Sequence, residues 1–366
     1  MLPTGVIDCD IHPAVPGIAA LMPHLPEPWA EILTQRGMHE LDSTAYPANA
    51  PITARPDWRS KESISGRVYQ NSAEVKAGIN LQELTTQALD PWQTSAAICN
   101  CLYGAYLVHS EDMAAAIAQA INGWLAREWL DREPRLRASI VLPLQSPELS
   151  VAEIERWAGD RRFVQVLLPV LTDEPLGRRR YWPIYEAAER HGLAVGIHAG
   201  SMYRHPPTVI GWPTYYTEDY VAQAQAFQGA LASLICEGVF DRFPTLKVVL
   251  IESGFTWLPA SIWRLNKYWQ GLRWEVPWVK RRPSEIVEEH VRFTLQPVDG
   301  PPHPDQLGRF MDHMGSDRLL LFSTDYPHWQ FDGTDAVPEG LSPDLVKKIG
   351  RDNPLETYKR LQEVSP

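Results

Sequence analysis

Residues 6–13 of the chain, "VIDCDIHP", give the first indication of its fold. Its apolar residues are typical of a buried β-strand, but two aspartates and a histidine interrupt them. A strand sends alternate side chains to opposite faces, so we expect Asp8, Asp10 and His12 to share one face. Burying two carboxylates together costs free energy unless a cation or hydrogen bonds compensate. The stretch therefore predicts a first core strand that supplies part of a cation site.

Seven further apolar runs of strand length follow, mostly separated by stretches with helical periodicity. They are "SAAICNCL" (95–102), "RASIVLPL" (137–144), "FVQVLLPV" (163–170), "LAVGIHAG" (193–200), "LKVVLIESG" (246–254), "HVRFTLQP" (290–297) and "RLLLFSTDYP" (318–327). A repeating β-α order implies a parallel sheet, and eight units favour a closed barrel over an open sheet. We predict an α/β fold, a (β/α)8 TIM barrel in one domain over residues 1–366. An insertion at about 14–90, between the first and second strands, is expected to close over the pocket.

Charge and composition limit the classes of partner. The net charge of −11, from 34 basic and 45 acidic residues, argues against nucleic acid or an anionic membrane surface. No apolar run approaches the ~18 residues of a membrane span, and the N-terminus lacks the pattern of a signal peptide. Of the four cysteines, Cys99 and Cys101 form a C-x-C pair, but no second cysteine pair is present to complete a zinc site. We expect a cytoplasmic protein that acts on a small molecule, without a nucleic-acid or membrane partner.

Polar residues end several of the predicted strands, at the end of the barrel where active sites lie. His198 ends the fifth strand, Glu252 the sixth and Asp325 the eighth. Each has a structural alternative: a hydrogen-bonded core histidine, an arginine partner and a helix N-cap, respectively. Together with Asp10 and His12, however, they converge on one end of one barrel. Two histidines with carboxylates are suitable ligands for Zn²⁺, Mn²⁺ or Fe²⁺.

The residues after these strand ends are candidates for binding substrate. His328 and Trp329 follow Asp325 and are expected at the barrel mouth, and His205 lies in the loop after His198. Four tryptophans form a cluster in sequence that is expected either to wall a pocket or to pack helices or a subunit interface. These are Trp257, Trp269, Trp274 and Trp278.

Four motifs in this order carry a family resemblance: "VIDCDIHP", "LGRRRYWPIYEAAERHGLAVGIHAG", "FPTLKVVLIESGFTWLP" and "LLLFSTDYPHWQFD". The chain resembles the amidohydrolase superfamily, in its amidohydrolase-2 branch, which is also called aminocarboxymuconate-semialdehyde-decarboxylase-like. The resemblance implies one divalent metal held by Asp10, His12, His198 and Asp325. Zn²⁺ is expected first, Mn²⁺ and Fe²⁺ are alternatives, and a second metal is left open. Many decarboxylases of this branch carry a histidine after the sixth strand, where this chain has Glu252.

The resemblance implies a metal-dependent hydrolase or a non-oxidative decarboxylase acting on a small, carboxylated or aromatic substrate. In hydrolysis, Asp325 would be the general base for a water that the metal makes acidic. In decarboxylation, Asp325 or Glu252 would protonate the carbon that loses CO₂. A non-haem oxygenase with two metals is an alternative, for which Asp8, Glu252, His205 and His328 are spare ligands. A metal-bearing, non-catalytic subunit paired with a homologous chain is another, and a homo-oligomer (dimer or tetramer) is expected otherwise.

Overall fold

A computed structural model describes residues 5–41, 78–328 and 336–362 of the chain. Eight parallel strands form one sheet, in the same order as in the sequence. They are β1 (Ile7–Ile11), β2 (Ala96–Cys99), β3 (Leu136–Val141), β4 (Phe163–Leu171), β5 (Ala194–Ser201), β6 (Val248–Ile251), β7 (Val291–Thr294) and β8 (Leu320–Leu321). Each observed strand overlaps the apolar run that predicted it, and β3, β4 and β5 extend one residue beyond theirs.

The sheet closes on itself between β8 and β1. The Cys9 N–H donates to the Phe322 carbonyl at 2.9 Å, and Ile11 forms a parallel bridge with Tyr326. The (β/α)8 TIM barrel predicted from the sequence is confirmed.

Helices connect the strands and cover the outside of the barrel. The α-helices are Ile18–Leu21, Glu27–Gln35, Leu81–Leu84, Glu111–Trp124, Pro147–Trp157, Trp182–Arg190, Tyr216–Cys236, Val239–Arg242, Leu258–Leu272, Pro283–His290, Pro304–Met314, Pro343–Lys347, Asn353–Thr357 and Lys359–Gln362. Shorter 3₁₀ segments lie at Met22–His24, Ala105–Leu107 and Arg179–Tyr181, and π-helical turns at Thr85–Leu89, Leu125–Leu130 and Lys348–Asp352. Serines cap two of the long helices: the Ser110 and Ser146 hydroxyls accept backbone N–H groups of the first turns of Glu111–Trp124 and Pro147–Trp157. None of the described helices is long and apolar enough to cross a membrane.

The predicted insertion at about 14–90 is described over 14–41 and 78–90, and those parts contain short helices and no strand. Residues 42–77 lie outside the described part of the chain. Where the insertion returns, the Ala14 N–H donates to the Gly78 carbonyl at 2.9 Å. Gly78 has a φ of +77°, and a Cβ there would lie 2.5 Å from the His12 carbonyl. The insertion therefore rejoins the barrel in contact with the end of β1.

Candidate metal and active site

Six titratable side chains meet at the carboxyl ends of the strands. Three are imidazoles and three are carboxylates, and they come from β1, β5 and the residues that follow β6 and β8. They are Asp10, His12, His198, Glu252, Asp325 and His328. Five are buried, and His328 is the exception, with 32% of its side chain exposed.

The His12 ring lies at the centre of this cluster. Its Nε2 atom lies 3.1 Å from Asp10 Oδ1, 3.3 Å from Glu252 Oε1 and 3.0 Å from Asp325 Oδ1. On the other side of Glu252, the His198 Nε2 atom lies 3.2 Å from the same Oε1. The predicted ligands from β1, β5 and β8 are therefore brought together, and Glu252 lies between them.

The possible ligand atoms fall into two overlapping groups. One contains Asp10, His12, His198 and Glu252, and the other contains His12, Glu252, Asp325 and His328. Within each group the ligand atoms lie within 4.8 Å of one another. Three of the four predicted ligands belong to the first group and Asp325 to the second, with His12 and Glu252 shared.

The two deeply buried rings are held so that their Nε2 atoms point into the cluster. The Nδ1 atom of His12 lies 2.9 Å from the Asn100 carbonyl, and that of His198 lies 2.7 Å from the Ala199 carbonyl. A carbonyl accepts a hydrogen bond and cannot donate one, so Nδ1 carries the proton in each neutral ring and Nε2 presents a lone pair. Metal-binding histidines are typically oriented in this way.

Several atoms of the cluster are buried without a well-directed hydrogen bond among the described residues. These are the Nε2 atoms of His12 and His198 and the Oδ2 atom of Asp10. Buried polar atoms of this kind require a partner. Imidazole nitrogens mixed with carboxylate oxygens suit a divalent ion such as Zn²⁺, Mn²⁺ or Fe²⁺. The residues present therefore fit a divalent metal.

The electrostatics of the cluster are dominated by its carboxylates. Although burial alone would lower it, the pKa of His12 is raised well above its usual value by Asp10, Asp325 and Glu252. Burial would raise the pKa of Glu252, but the imidazoles of His198 and His328 hold it well below its ordinary range. Burial and the charge of Glu252 raise the pKa of Asp325. The cluster thus holds concentrated negative charge against its imidazoles, a field that attracts a cation.

Two of the carboxylates sit on unusual backbone. Glu252 has a φ of 54° and Asp325 a φ of 57°, in the left-handed region that residues other than glycine seldom adopt. Hydrogen bonds support both positions: the Glu252 N–H donates to Thr294 Oγ1 at 3.0 Å, and the Asp325 N–H donates to the Asp10 carbonyl at 3.1 Å. Strained conformations of this kind are concentrated at functional sites.

Asp8 does not join either group of possible ligands, although it was predicted on the same strand face as Asp10 and His12. The pairing of β1 with β2 shifts register between Asp8 and Ile11. The Asp8 carboxylate accepts hydrogen bonds from the hydroxyl of Thr324 at 2.6 Å, from its N–H at 3.1 Å and from the Asp10 N–H at 3.2 Å. These bonds match the structural role that was the alternative for Asp8, and they link β1 to the residues after β8.

The predicted substrate-binding residues occupy different places. His328 stacks on His12, with ring centroids 4.0 Å apart, and its Nδ1 atom lies 2.7 Å from Asp325 Oδ1. His205 instead lies 3.1 Å from Asp173 through Nε2, and none of the contacts found within the described ranges joins it to the cluster. Trp329 lies outside the described residues.

The clustered tryptophans divide into two kinds. The indole N–H groups of Trp257 and Trp269 donate to the Ser253 and Val279 carbonyls at 2.9 and 3.1 Å, as expected of residues that pack helices. Trp274 and Trp278 are exposed, although the Trp278 indole N–H also donates, to the Cys236 carbonyl at 2.8 Å.

Two residues near the cluster were missed by sequence reasoning. Asn100 directly follows β2, and its Nδ2 atom donates to Asp10 Oδ1 at 2.8 Å. Asn100 could have been identified from the sequence as a polar residue at the end of an apolar strand, between Cys99 and Cys101. Tyr220, on the helix Tyr216–Cys236, lies close enough to the carboxylates of the cluster that they join burial in raising its pKa well above the usual value. No sequence signal marked Tyr220. The position of its helix relative to the cluster depends on the loop after β5, and the sequence pattern does not show the course of that loop.

The amidohydrolase family model matches residues 7–360 of the chain, which is nearly its whole length. The chain belongs to the amidohydrolase family. The prediction of a metal-dependent hydrolase or lyase of this superfamily is thereby confirmed. The amidohydrolase family is the one that the four motifs predicted.

Curated relatives of this amidohydrolase are decarboxylases. It is 28% identical to a gamma-resorcylate decarboxylase of Rhizobium over 267 residues, which cover 67% of this chain and 77% of the relative. It is 26% identical to the gamma-resorcylate decarboxylase of Polaromonas over 66% of this chain and 76% of that one. A 2-amino-3-carboxymuconate-6-semialdehyde decarboxylase of Dictyostelium discoideum is 25% identical over 74% of this chain and 72% of the relative.

Solved structures show the same fold. The 2,6-dihydroxybenzoate decarboxylase of Rhizobium matches with a TM-score of 0.70 at 20% identity, over 98% of this chain and 99% of the other. A dihydroxybenzoic acid decarboxylase of Polaromonas, solved with manganese and the inhibitor 2-nitroresorcinol, gives a TM-score of 0.67 at 20% identity, over 98% and 97% of the two chains.

Proposed function

We propose that this protein is a metal-dependent, non-oxidative decarboxylase of a hydroxylated aromatic carboxylate. The observation that carries the proposal is the cluster of imidazoles and carboxylates at the carboxyl end of a barrel whose curated relatives are decarboxylases of carboxylated substrates. Glu252, which stands where many such decarboxylases have a histidine, lies inside the cluster. The glutamate in place of that histidine therefore alters one side chain of the cluster, and the cluster itself is still formed.

The proposed cofactor is one divalent ion held by Asp10, His12, His198 and Asp325, with Glu252 within reach. Zn²⁺ is the ion expected from the ligand types, and Mn²⁺ is present in the solved structure of the Polaromonas decarboxylase. When bound, the ion supplies positive charge that fixes a substrate carboxylate and an adjacent hydroxyl oxygen and draws electrons from them.

The residues of the chain supply the proton. In its protonated form, Asp325 donates to the ring carbon that bears the carboxylate. The bond from that carbon to the carboxylate then breaks, its electron pair returns to the ring, and CO₂ leaves. Glu252 keeps its negative charge beside His198 and His328 and holds their rings in place. His328, the exposed member of the cluster, is proposed to contact the substrate, together with His205 and Trp329.

The test is an assay of CO₂ release by the purified protein loaded with Mn²⁺ or Zn²⁺. The panel would contain dihydroxybenzoates, a carboxylated methoxyphenol and, for the hydrolase alternative, amides and lactones. We expect CO₂ from at least one aromatic carboxylate, and loss of that activity in Asp325→Asn. Asp305→Asn, at an exposed aspartate on the helix Pro304–Met314, is the matched control. Hydrolysis of an amide or lactone without CO₂ release from any carboxylate would contradict the proposal.

A second candidate is a two-metal oxygenase on the same fold. The observation that favours it is the pair of overlapping ligand groups that share His12 and Glu252. Elemental analysis and an oxygen electrode separate the two candidates. Two metals per chain including iron, with O₂ consumed in step with substrate, would favour the oxygenase, whereas one metal and no O₂ consumption would favour the decarboxylase.

We also propose that the protein forms a homo-oligomer, a dimer or tetramer, in the cytoplasm. Its support is the exposed apolar surface after β5, where Val209, Ile210, Trp212 and Tyr215 are more than half exposed. Cys9 and Cys99 are buried free thiols, as expected in a reducing compartment. Light scattering coupled to size-exclusion chromatography tests the oligomer. A monomer at micromolar concentration would contradict it.

A further inference from the structure

Three buried polar side chains form a hydrogen-bonded network behind Asp10, inside the barrel. Asn100 follows β2, Ser139 lies on β3 and Gln165 lies on β4, and all three are fully buried. The side chains of the network reach the cluster through Asn100, whose Nδ2 atom donates to Asp10 Oδ1 at 2.8 Å. Fully buried amides and hydroxyls cost free energy unless they form hydrogen bonds, so the hydrogen-bond partners within this network show how each side chain is oriented.

The orientation of the Asn100 amide is fixed by its neighbours. Its Oδ1 atom accepts from the Ser139 hydroxyl at 2.5 Å and from Gln165 Nε2 at 2.9 Å. Gln165 Nε2 also donates to Ser139 Oγ at 2.7 Å, and the Tyr358 hydroxyl donates to Gln165 Oε1 at 3.2 Å. Because two donors occupy Oδ1 of Asn100, its NH₂ group must face Asp10.

Asn100 also controls the second ligand from β1. Its backbone carbonyl accepts the hydrogen bond from His12 Nδ1 at 2.9 Å. One residue therefore sets the tautomer of His12 and occupies one carboxylate oxygen of Asp10. Asp10 Oδ1, the oxygen that accepts from Asn100, also lies 3.1 Å from His12 Nε2 and 3.9 Å from His198 Nε2. Nε2 of His12 and Oδ2 of Asp10 have no well-directed hydrogen bond in the described part of the chain.

We infer that Asn100, Ser139 and Gln165 are positioning residues that set the metal affinity of the site through Asp10 and His12. The inference rests on the metal site of the proposed function. The neutral donor from Asn100 fixes the Asp10 carboxylate in one rotamer, beside the Nε2 atoms of His12 and His198. Partners of this kind orient metal ligands and commonly change affinity about 10- to 100-fold when they are removed.

The barrel leaves space for this network at Gly196 on β5. A Cβ at that position would lie 2.9 Å from Cδ of Gln165 and 2.9 Å from Cδ1 of Ile251. A side chain there would push Gln165 away from Asn100. The absence of a side chain at Gly196, two residues before His198, is thus accounted for by the space that Gln165 requires.

The test is the dissociation constant for Mn²⁺ and for Zn²⁺, measured without substrate by competition with a chromogenic chelator. Asn100→Asp keeps the acceptor for Ser139 and Gln165 but places a second carboxylate oxygen against Asp10. We expect about 10- to 100-fold weaker binding. Asn122→Asp is the matched control: Asn122 is also fully buried and donates to Glu153 Oε1 at 2.8 Å and to the Val141 carbonyl at 2.9 Å. It should lower the melting temperature but keep the metal dissociation constant within about twofold of the wild type.

Gln165→Met provides a second variant that adds no charge. It removes one of the two donors that hold Asn100 Oδ1, and we expect weaker metal binding than in the wild type but stronger than in Asn100→Asp. If Asn100→Asp does not fold, Gln165→Met decides. The inference is overturned if Gln165→Met and any folded Asn100→Asp bind metal within twofold of the wild type, if Asn122→Asp weakens binding equally, or if the wild type binds no metal. A wild type that binds metal without decarboxylating any substrate would contradict only the proposed function.

Discussion

The two ends of the barrel use buried charge in opposite ways. At the amino end, the buried Arg360 guanidinium donates to the backbone carbonyls of Ala158, Asp160, Phe163 and His191 at 2.8–3.3 Å. At the carboxyl end, the Nε2 atoms of His12 and His198 converge on carboxylates without such partners.

Buried charge that backbone carbonyls satisfy stabilises the fold, whereas buried charge without such partners is available for chemistry. At the amino end, each hydrogen bond of the guanidinium is accepted by a backbone carbonyl near a strand or helix end, so Arg360 needs no ligand as a partner. At the carboxyl end, the atoms left over are those that a divalent ion accepts. Barrels of this type commonly separate stability from catalysis in this way.

The largest effect is expected for Asp325→Asn at the carboxyl end. Because Asp325 is the proposed proton donor, kcat for CO₂ release should fall about 10³-fold. The melting temperature of the metal-free protein should change little, since the amide occupies the same space. Steady-state kinetics with saturating metal measure the loss, and residual activity within about tenfold of the wild type would contradict the role.

Arg360→Met at the amino end should have the opposite signature. Removing a buried cation that satisfies four carbonyls should lower the free energy of unfolding by about 3 kcal/mol. The metal dissociation constant of the folded protein should not change. Urea denaturation gives the free energy of unfolding, and chelator competition gives the dissociation constant. A variant with wild-type stability and weakened metal binding would reverse the assignment of the two ends.

Metal removal should destabilise the protein through the carboxyl end alone. At a metal concentration 100 times Kd, binding adds about 2.7 kcal/mol to the free energy of unfolding. The melting temperature should rise when Mn²⁺ or Zn²⁺ is added to the chelated wild type. The same addition should give a much smaller rise for His198→Asn. Equal shifts in the two proteins would place the stabilising ion elsewhere.

The smallest effect is a pH dependence at the amino end. Lys247 precedes β6, and burial, aided by Arg292, lowers its pKa to about 8. Between pH 8 and the ordinary value near 10.5, the unfolded state therefore binds more protons than the folded state. Stability should rise slightly with pH over this window. Denaturation at pH 7.5 and 10 should show this rise for the wild type relative to Lys247→Met, and a relative decrease would contradict the sign.

The strands of the barrel and most of the site could be predicted from sequence because they depend on local patterns. Continuous apolar runs mark strands buried on both faces, and polar residues such as His198 and Asp325 mark where those strands end. The hydrogen bonds of Asp8 with Thr324 could not be read from alternation, because they join residues 316 positions apart in sequence.

Other features of the site depend on how the chain turns. His328 joins the cluster because its N–H donates to the Asp325 carbonyl at 2.9 Å, on backbone that has left-handed φ at Asp325. The hydrogen bond from Asn100 to Asp10 joins residues 90 positions apart in sequence. Neither a turn of this kind nor a contact at this separation has a periodic signal in the sequence.

Elemental analysis is the most direct measurement of whether the cluster around His12 binds a divalent metal. Protein purified without chelator would be measured beside His198→Asn and, as a control at an exposed histidine, His313→Asn. We expect about one divalent ion per chain in the wild type and in His313→Asn, and far less in His198→Asn. Wild-type protein that contains no metal and takes up none from a solution of Mn²⁺ or Zn²⁺ would contradict this expectation.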